Sequence, residues 1–556
     1  MLRAALRAVV VYLALLALAC VVVRWGTSLH EPVQREVVAS VWRKGELVER
    51  AVYLEGQRHD PRIDRALGEG GELVLETIVG DAPILTWPDV ALGISLVPGH
   101  DGLRATLGDR TVHVTPDDLL SRQLYDHGLR VNSIGIALGV DTDALRAVLA
   151  ERLQTSAQTV IEQSQLRRIR VVRKAGAERP RITAQNLRRE DVRDAIVAGA
   201  KYLARAVSAE GRFRYTVRAP TNEELPGYDW PRHAGATYFL AQVAGMTHDQ
   251  ALADAARRAA TLMTASGLSK CGELPCVGEE KSIGLGSTAL AVVALAEIVD
   301  RKIDANFGFY LPGLTRFLRS QQRPDGEFMH YYDRENNRPI DTQGLYYSSE
   351  ATLALAKAYN ITKDPADLEA AVRALRYLVG PAWSFFGDRY YYGEEHWTCQ
   401  AISVLWPHAP DRKALDFCLG WQAFGRAIQQ REGDSFFDAD GSIGVGPVVT
   451  PRLTPVASRC EAAIATLDVA RKAGVAAEEI AIVDEQLRRA LALLLRQQLR
   501  PGPRHLFKEP EAVEGAMPGS EVDWELRIDY TQHTGSALVR WLELAESMDG
   551  ASAGQP

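Results

Sequence analysis

From about residue 190 the chain repeats one pattern six times: a helix, a loop with glycine and aromatic residues, then a second helix rich in small side chains. The second helices begin at Arg232-His-Ala-Gly-Ala-Thr, Ile283-Gly-Leu-Gly-Ser-Thr-Ala-Leu, Tyr346-Tyr-Ser-Ser-Glu-Ala-Thr, Glu394-Glu-His-Trp-Thr-Cys-Gln-Ala, Ala457-Ser-Arg-Cys-Glu-Ala-Ala and Asp529-Tyr-Thr-Gln-His-Thr-Gly-Ser-Ala. The loops echo one another in Glu210-Gly-Arg-Phe-Arg-Tyr, Asp325-Gly-Glu-Phe-Met-His-Tyr-Tyr and Asp388-Arg-Tyr-Tyr-Tyr-Gly. The preceding helices do so in Ser320-Gln-Gln-Arg, Ile428-Gln-Gln-Arg and Arg496-Gln-Gln-Leu. Such hairpins cannot bury their apolar faces alone, so neighbours must stack.

A helix lined with Ala, Gly, Ser and Leu on all sides must be buried all round. Small side chains let such helices approach closely. Six of them make an inner barrel, with six amphipathic helices outside. Closing the ring removes the exposed ends that an open solenoid keeps. The expected fold is mainly α: an (α/α)6 toroid over 190–548, with a tail at 549–556. An open solenoid is the alternative.

The other end of the chain is different. Arg3 and Arg7 precede an apolar run from Ala8 to Val23, closed by Arg24, with Trp25 placed for an interface. The run falls a little short of the ~20 residues typical of a spanning helix. Positive charge before it favours an inside N-terminus. Segment 1–29 is therefore expected to be a transmembrane helix and signal anchor. That makes the protein single-pass in the inner (cytoplasmic) membrane, with its bulk periplasmic. A cleaved signal peptide is the rival, and Ala17-Leu-Ala-Cys resembles a lipoprotein box.

Residues 30–175 read as a small α+β domain. β-like runs lie at Glu36–Val41, Glu72–Ile78 and Thr111–Val114. A hairpin is expected to turn at Gly108-Asp109. Thr115 is placed to cap a helix with Pro116 first, and a second helix runs from about Asp141 to Leu153. No catalytic constellation appears, so this segment reads as a spacer or docking domain. The basic run Arg167-Arg-Ile-Arg-Val-Val-Arg-Lys, then Gly176 to Pro180, reads as a solvated connector, with 176–189 as the linker.

Net charge is −7, with no basic face to suggest nucleic acid. Six cysteines are too few for a disulfide scaffold. Cys271 and Cys276 either close a small loop in an oxidising compartment or stay as thiols.

The polar signature residues gather at the starts of the inner helices, which a ring of hairpins brings to one end. Helix N-termini there favour anionic ligands. The binding candidates are Asp229, Arg232, His233, Tyr346, Trp397 and Arg459. The catalytic candidates are Tyr347, Glu350, Glu395, His396, Glu461, Asp529, Tyr530 and His533. Each has a plainer reading. An Asp at a helix start is commonly a cap, and Tyr346 and Tyr347 can simply pack in loops. Glu350 and Glu461 resist this, because they precede Ala-Thr-Leu and Ala-Ala-Ile runs that should be buried. A buried carboxylate needs a partner or a raised pKa.

Two motifs carry a resemblance. Gly344-Leu-Tyr-Tyr-Ser-Ser-Glu-Ala-Thr-Leu-Ala-Leu-Ala-Lys-Ala-Tyr, followed by Thr362-Lys-Asp, resembles the C-terminal domain of uronyl C5-epimerases. Arg527-Ile-Asp-Tyr-Thr-Gln-His-Thr is similar to that family's Asp-Tyr-His-Thr-x-His run, with Thr531 in place of the first His. That family belongs to the six-hairpin toroid group, with glycosidases, lyases and terpene and lanthionine cyclases. The resemblance implies inversion at C5 of a uronic acid, in which a base removes a carbon-bound proton and an acid returns one. Tyr530 with His533, or Tyr347 with Glu350, would supply the pair. Arg232, Arg459 and the helix N-termini would neutralise the substrate carboxylate.

Three other readings stand beside it. A glycosidase or lyase of the same fold is one. A glycosidase needs two carboxylates about 5–9.5 Å apart, for which Glu350, Glu395, Glu461 and Asp529 are candidates. A zinc enzyme similar to lanthionine cyclases is the second, with Cys399, Cys460 and His533 as ligands and His396 one turn before Cys399. The third is a non-catalytic toroid that binds a polysaccharide or an envelope partner. No cofactor is expected, with zinc the exception. The expected partners are a polysaccharide or small carbohydrate, and the membrane through the N-terminal helix. The oligomeric state stays open.

Overall fold

The computed structural model describes residues 28–57, 60–86, 92–93, 95–126, 129–131, 134–136, 139–174, 181–382, 396–434, 438–444, 450–500 and 503–553. The apolar run 8–23 and Glu395 lie outside them. Among the described residues, no helix is long and apolar enough to cross a membrane. The chain divides into two compact units. One comprises Met1–Arg179 with Pro447–Thr450 and Arg504–Lys508; the other comprises Pro180–Gly446, Pro451–Pro503 and Glu509–Pro556.

The first unit is built on six strands: β1 (Glu36–Arg43), β2 (Glu46–Leu54), β3 (Glu72–Pro83), β4 (Asp101–Leu107), β5 (Arg110–Val114) and β6 (Gln165–Lys174). They form one antiparallel sheet in the order β2-β1-β3-β6-β4-β5. Strand β2 was not among the expected runs. It follows β1 through Lys44-Gly45, both at positive φ, as a two-residue hairpin turn requires. β1 is buried on both faces. Ala39 and Val41 pack with Ile63 and Ala66 of helix α1 (Pro61–Gly68), while Val38 meets Ile78, Ile169 and Val171 on the other side. Helix α2 (Pro116–Ser121) begins with a capping box between Thr115 and Asp118, α3 (Thr142–Leu153) is capped by Asp141, and α4 (Ala157–Gln163) is capped by Ser156.

The basic run at 167–174 is not a connector. It is strand β6, in the interior of the sheet. Ile169 and Val171 bury into the core, and the arginines between them find acids on neighbouring elements. Arg170 Nε donates to Asp101 at 2.8 Å, Arg167 pairs with Asp81 and Arg173 with Asp117. A run of charge reads as solvated only while its partners, far off in the sequence, go unseen.

Among its described residues, the second unit is built on twelve helices of nine residues or more, in alternation. In chain order they are α5 (Arg189–Ala206), α6 (Trp230–Thr247), α7 (Gln250–Ser266), α8 (Leu285–Asp300), α9 (Leu311–Ser320), α10 (Tyr347–Thr362), α11 (Pro365–Leu378), α12 (Trp397–Leu405), α13 (Arg412–Ala427), α14 (Leu453–Lys472), α15 (Ala477–Gln497) and α16 (Ile528–Ala553). The even-numbered helices are the inner ones, and their starts fall within a few residues of the six expected. Each packs on the next, and α16 returns to α6, so the ring closes and the open solenoid is excluded. The unit is an (α/α)6 toroid. The sequence logic holds helix by helix: α8 buries nearly its whole circumference, whereas α7 buries only one stripe, including Leu252, Ala256, Ala260 and Met263.

The echoed loops also have a cause. Gly211, Gly326, Gly441 and Gly515 all lie at positive φ, and a Cβ on any of them would strike the backbone of an outer helix: α7, α11, α15 and α5 in turn. One tight contact thus recurs in four of the hairpins.

Candidate functional site

Early residues of neighbouring inner helices touch one another, so these helices begin at one end of the ring, its mouth. Three helices bring their side chains to one cluster there. His396 precedes α12, Glu461 lies deeper in α14, and His533 lies in α16. His533 Nδ1 donates to Glu461 Oε2 at 3.0 Å, and His396 Nε2 is 3.4 Å from the same oxygen. The two imidazole centroids are 5.2 Å apart and nearly perpendicular, with Trp397 packed against both. Glu461 is fully buried, and its Oε1 has no hydrogen-bond partner among the described residues. Burial opposes a charged His533, but the Glu461 carboxylate outweighs it and raises the pKa above the ordinary histidine value.

A second group joins α6 and α16. Asp229 caps α6, accepting from the Arg232 backbone N–H at 3.0 Å, and pairs with the Arg232 side chain. Arg232 also donates to Tyr215 at 2.9 Å and to Asp529 at 3.3 Å. Arg527 Nε donates to Asp529 at 2.6 Å. Burial would raise the Asp529 carboxyl, but Arg527 and Arg232 hold it far below the usual carboxylate range. Tyr530 accepts from Arg452 at 2.6 Å, and its ring faces Arg452 and Arg527. The expected pairing of Tyr530 with His533 therefore gives way to one with arginine.

A third group joins α8 and α10. Tyr347 and Glu350 seat over Gly284 and Gly286. A Cβ at Gly284 would come within 2.9 Å of the Tyr347 hydroxyl, and one at Gly286 would strike Glu350. Burial, with the Glu350 carboxylate and Tyr331 beside it, pushes the Tyr347 phenol above its ordinary value. Tyr346 stands at the start of α10, where its carbonyl accepts from Ser349 at 2.8 Å.

Next to this group is a relay that sequence reasoning missed. The Gly344 N–H donates to His330 Nδ1 at 2.5 Å, so Nε2 carries the proton and donates to Ser348 at 2.6 Å; Ser348 in turn donates to Glu327. Its signal is the echoed loop Asp325-Gly-Glu-Phe-Met-His, which by itself reads only as a mark of the repeat.

Two binding candidates turn away from the mouth. His233 is wedged between α6 and α7, its ring nitrogens bonded to the Tyr228 hydroxyl at 2.6 Å and the Ala259 carbonyl at 2.8 Å. Burial pushes its pKa down to about 4. Arg459 lies over the Trp421 ring of α13, 5.4 Å from its centroid. The thiolate zinc set is overturned as well. Cys399 is disulfide-bonded to Cys418, which removes it as a ligand. Cys460 is a buried thiol whose pKa burial pushes up. Cys271 and Cys276 do close their loop.

No protein-family model matches the sequence, and no curated protein matches it. Solved structures do. A D-mannose isomerase is 11% identical with a TM-score of 0.49, over 64% of this chain and 97% of that one. A cellobiose 2-epimerase from Spirochaeta thermophila DSM 6192 is 13% identical with a TM-score of 0.48, over 65% and 98%. An unsaturated glucuronyl hydrolase specific for heparin is 14% identical with a TM-score of 0.46, over 64% and 98%.

Proposed function

We propose that the toroid mouth is the active site of an enzyme acting on an anionic carbohydrate, and that it removes a proton from a sugar carbon and returns one, as an epimerase does. The observation that carries this reading is the convergence of His396, Glu461 and His533 from three inner helices on one buried cluster. Of the two acid–base pairs considered, Tyr347 with Glu350 keeps its partners. A phenol with a raised pKa stays protonated and serves as the acid, while the carboxylate beside it serves as the base. Arg232 is engaged by two aspartates and Arg459 by Trp421, so neither is left to neutralise a substrate carboxylate. That task falls to His533, whose pKa is raised, and to the helix N-termini at the mouth, which are placed to stabilise developing negative charge. Two arginines on Asp529 keep it ionised and weigh against it as a glycosidase acid.

The proposal extends to location. The apolar run 8–23 tethers the protein to the cytoplasmic membrane, and the toroid lies outside the cytoplasm. The Cys271–Cys276 and Cys399–Cys418 bonds suit an oxidising compartment. Protease treatment of spheroplasts tests this, since a toroid left intact until lysis would refute it. The reaction is tested in deuterated water over a panel of uronic-acid polymers and oligosaccharides. Deuterium at C5 is expected with the wild type and lost in Tyr347→Phe and Glu350→Gln. No incorporation with any member of the panel would defeat the reading.

A further inference from the structure

Glu461 differs in its company from two other buried carboxylates of the inner ring, Glu297 and Asp529. Glu297 has Lys357 and Arg301, and Asp529 has Arg527 and Arg232. The partners of Glu461 among the described residues are two imidazoles, both on Oε2, while Oε1 is buried with no hydrogen bond. A buried carboxylate oxygen left bare is expensive, and a cation is the partner that would satisfy it.

We propose that His396, Glu461 and His533 form a binding site for a divalent transition-metal ion, zinc by ligand type. The distances fit. His533 Nδ1 and His396 Nε2 lie 3.0 and 3.4 Å from Glu461 Oε2, and one donor atom from each residue falls within 4.8 Å of the others. Bonds of about 2.0–2.2 Å in a tetrahedron set ligand atoms about 3.3–3.5 Å apart, so small shifts admit the ion. The chemistry fits too. Two imidazoles and one carboxylate make a catalytic zinc set, with a fourth position left for water or a substrate oxygen. Glu461 and His533 come from helices packed in a closed ring and His396 stands at the start of a third, which fixes the site better than loops alone would. This is not the thiolate set, whose Cys399 sulfur is spent on Cys418.

The inference shares with the proposed function only the position of the site. An ion there would polarise a carboxylate or carbonyl oxygen of the sugar, lowering the barrier to proton loss beside it.

The test uses the full chain in detergent, stripped with a chelator and titrated with zinc and cobalt ions. The expected result is one equivalent of either metal, a visible cobalt absorption of tetrahedral type, and a rise in melting temperature with zinc. Glu461→Gln and His533→Ala should each weaken affinity by about 100-fold or more, while Cys460→Ser leaves it unchanged. Wild-type protein that takes up no stoichiometric metal and shows no zinc-dependent melting shift overturns the proposal, whether or not the variants fold. So does affinity unaltered in Glu461→Gln. Metal bound as expected, with no deuterium exchange on any uronate, leaves this inference standing and defeats the proposed function. Full exchange by wild-type protein that takes up no stoichiometric zinc or cobalt does the reverse.

Discussion

The two ends of the inner ring each bury a glutamate, and they handle its charge in different ways. Far from the mouth, Glu297 of α8 accepts from Lys357 of α10 at 2.7 Å and from Arg301 at 2.9 Å, and Arg301 also reaches Glu543 of α16 at 2.7 Å. These cations outweigh the burial and hold the Glu297 carboxyl below its ordinary pKa. At the mouth, Glu461 meets two imidazoles, whose charge depends on a proton. One end has permanent charges that lock a ring of helices together. The other has a carboxylate whose partners can be exchanged for a proton, an ion or a substrate. Structural and reactive polar clusters can therefore be told apart inside one barrel by the permanence of the opposing charge.

The sharpest way to break this comparison is to make the same substitution at both ends. Glu297→Gln leaves the Lys357 ammonium without its carboxylate, buried beside the Tyr238 ring. Loss of one member of a buried ion pair costs about 3–5 kcal/mol. Urea unfolding should record a loss of that size; a change below about 1 kcal/mol would remove Glu297 from the structural side.

The next effect tests the link between layers. Cys399 sits on α12, the shortest inner helix and the one that follows His396, and its disulfide to Cys418 ties it to outer helix α13. With a sequence separation of 19 between the cysteines, loop closure predicts a stabilisation of about 3 kcal/mol. The double substitution Cys399→Ser with Cys418→Ser should lose that much. The same change at Cys271 and Cys276, with a sequence separation of 5, should lose less. Equal losses would mean that the strap on α12 has no special weight.

Two imidazoles sharpen the comparison through pH. His533 has a carboxylate neighbour and its pKa is raised; His233 has a hydroxyl and a carbonyl, and its pKa is about 4. A buried neutral histidine gives its full stability above the unfolded value near 6.5, and loses it as pH falls toward 4. Between pH 7 and 5 this group should account for about 2 kcal/mol of lost stability. His233→Gln should flatten the acid limb of the stability curve over that window; an unchanged limb would show that His233 is protonated in the folded state.

The ring was legible because its cause is local: small residues crowd into the inner helices, and a glycine recurs where loop meets outer helix. Which side chains face the axis was less so, because residues two apart lie on opposite sides of a helix. Arg459 and Glu461 illustrate this. The sequence places both at the mouth, yet Arg459 meets Trp421 of the outer layer while Glu461 meets the two histidines. Asp529 and His533, four apart on α16, do share a face, and each feels the other's charge. Partners far off in the sequence stayed hidden altogether. No spacing announced the bond from Cys399 to Cys418, or the acids that turn an arginine-rich run into strand β6.

The smallest expected stability effect is also the most informative. In metal-free protein, Glu461→Gln keeps a side-chain oxygen that can accept from His533 Nδ1, and removes a buried charge that has no permanent counter-ion among its described partners. Replacing such a charge by a neutral group of the same shape is commonly neutral or stabilising, so the change should stay within about 1 kcal/mol. The same variant should lose the zinc-dependent rise in melting temperature and the deuterium exchange together. A carboxylate dispensable to the fold and indispensable to ion and substrate has its cost repaid by function. If Glu461→Gln instead unfolds the protein as readily as Glu297→Gln does, the two ends of the ring are alike, and the cluster at the mouth is a brace.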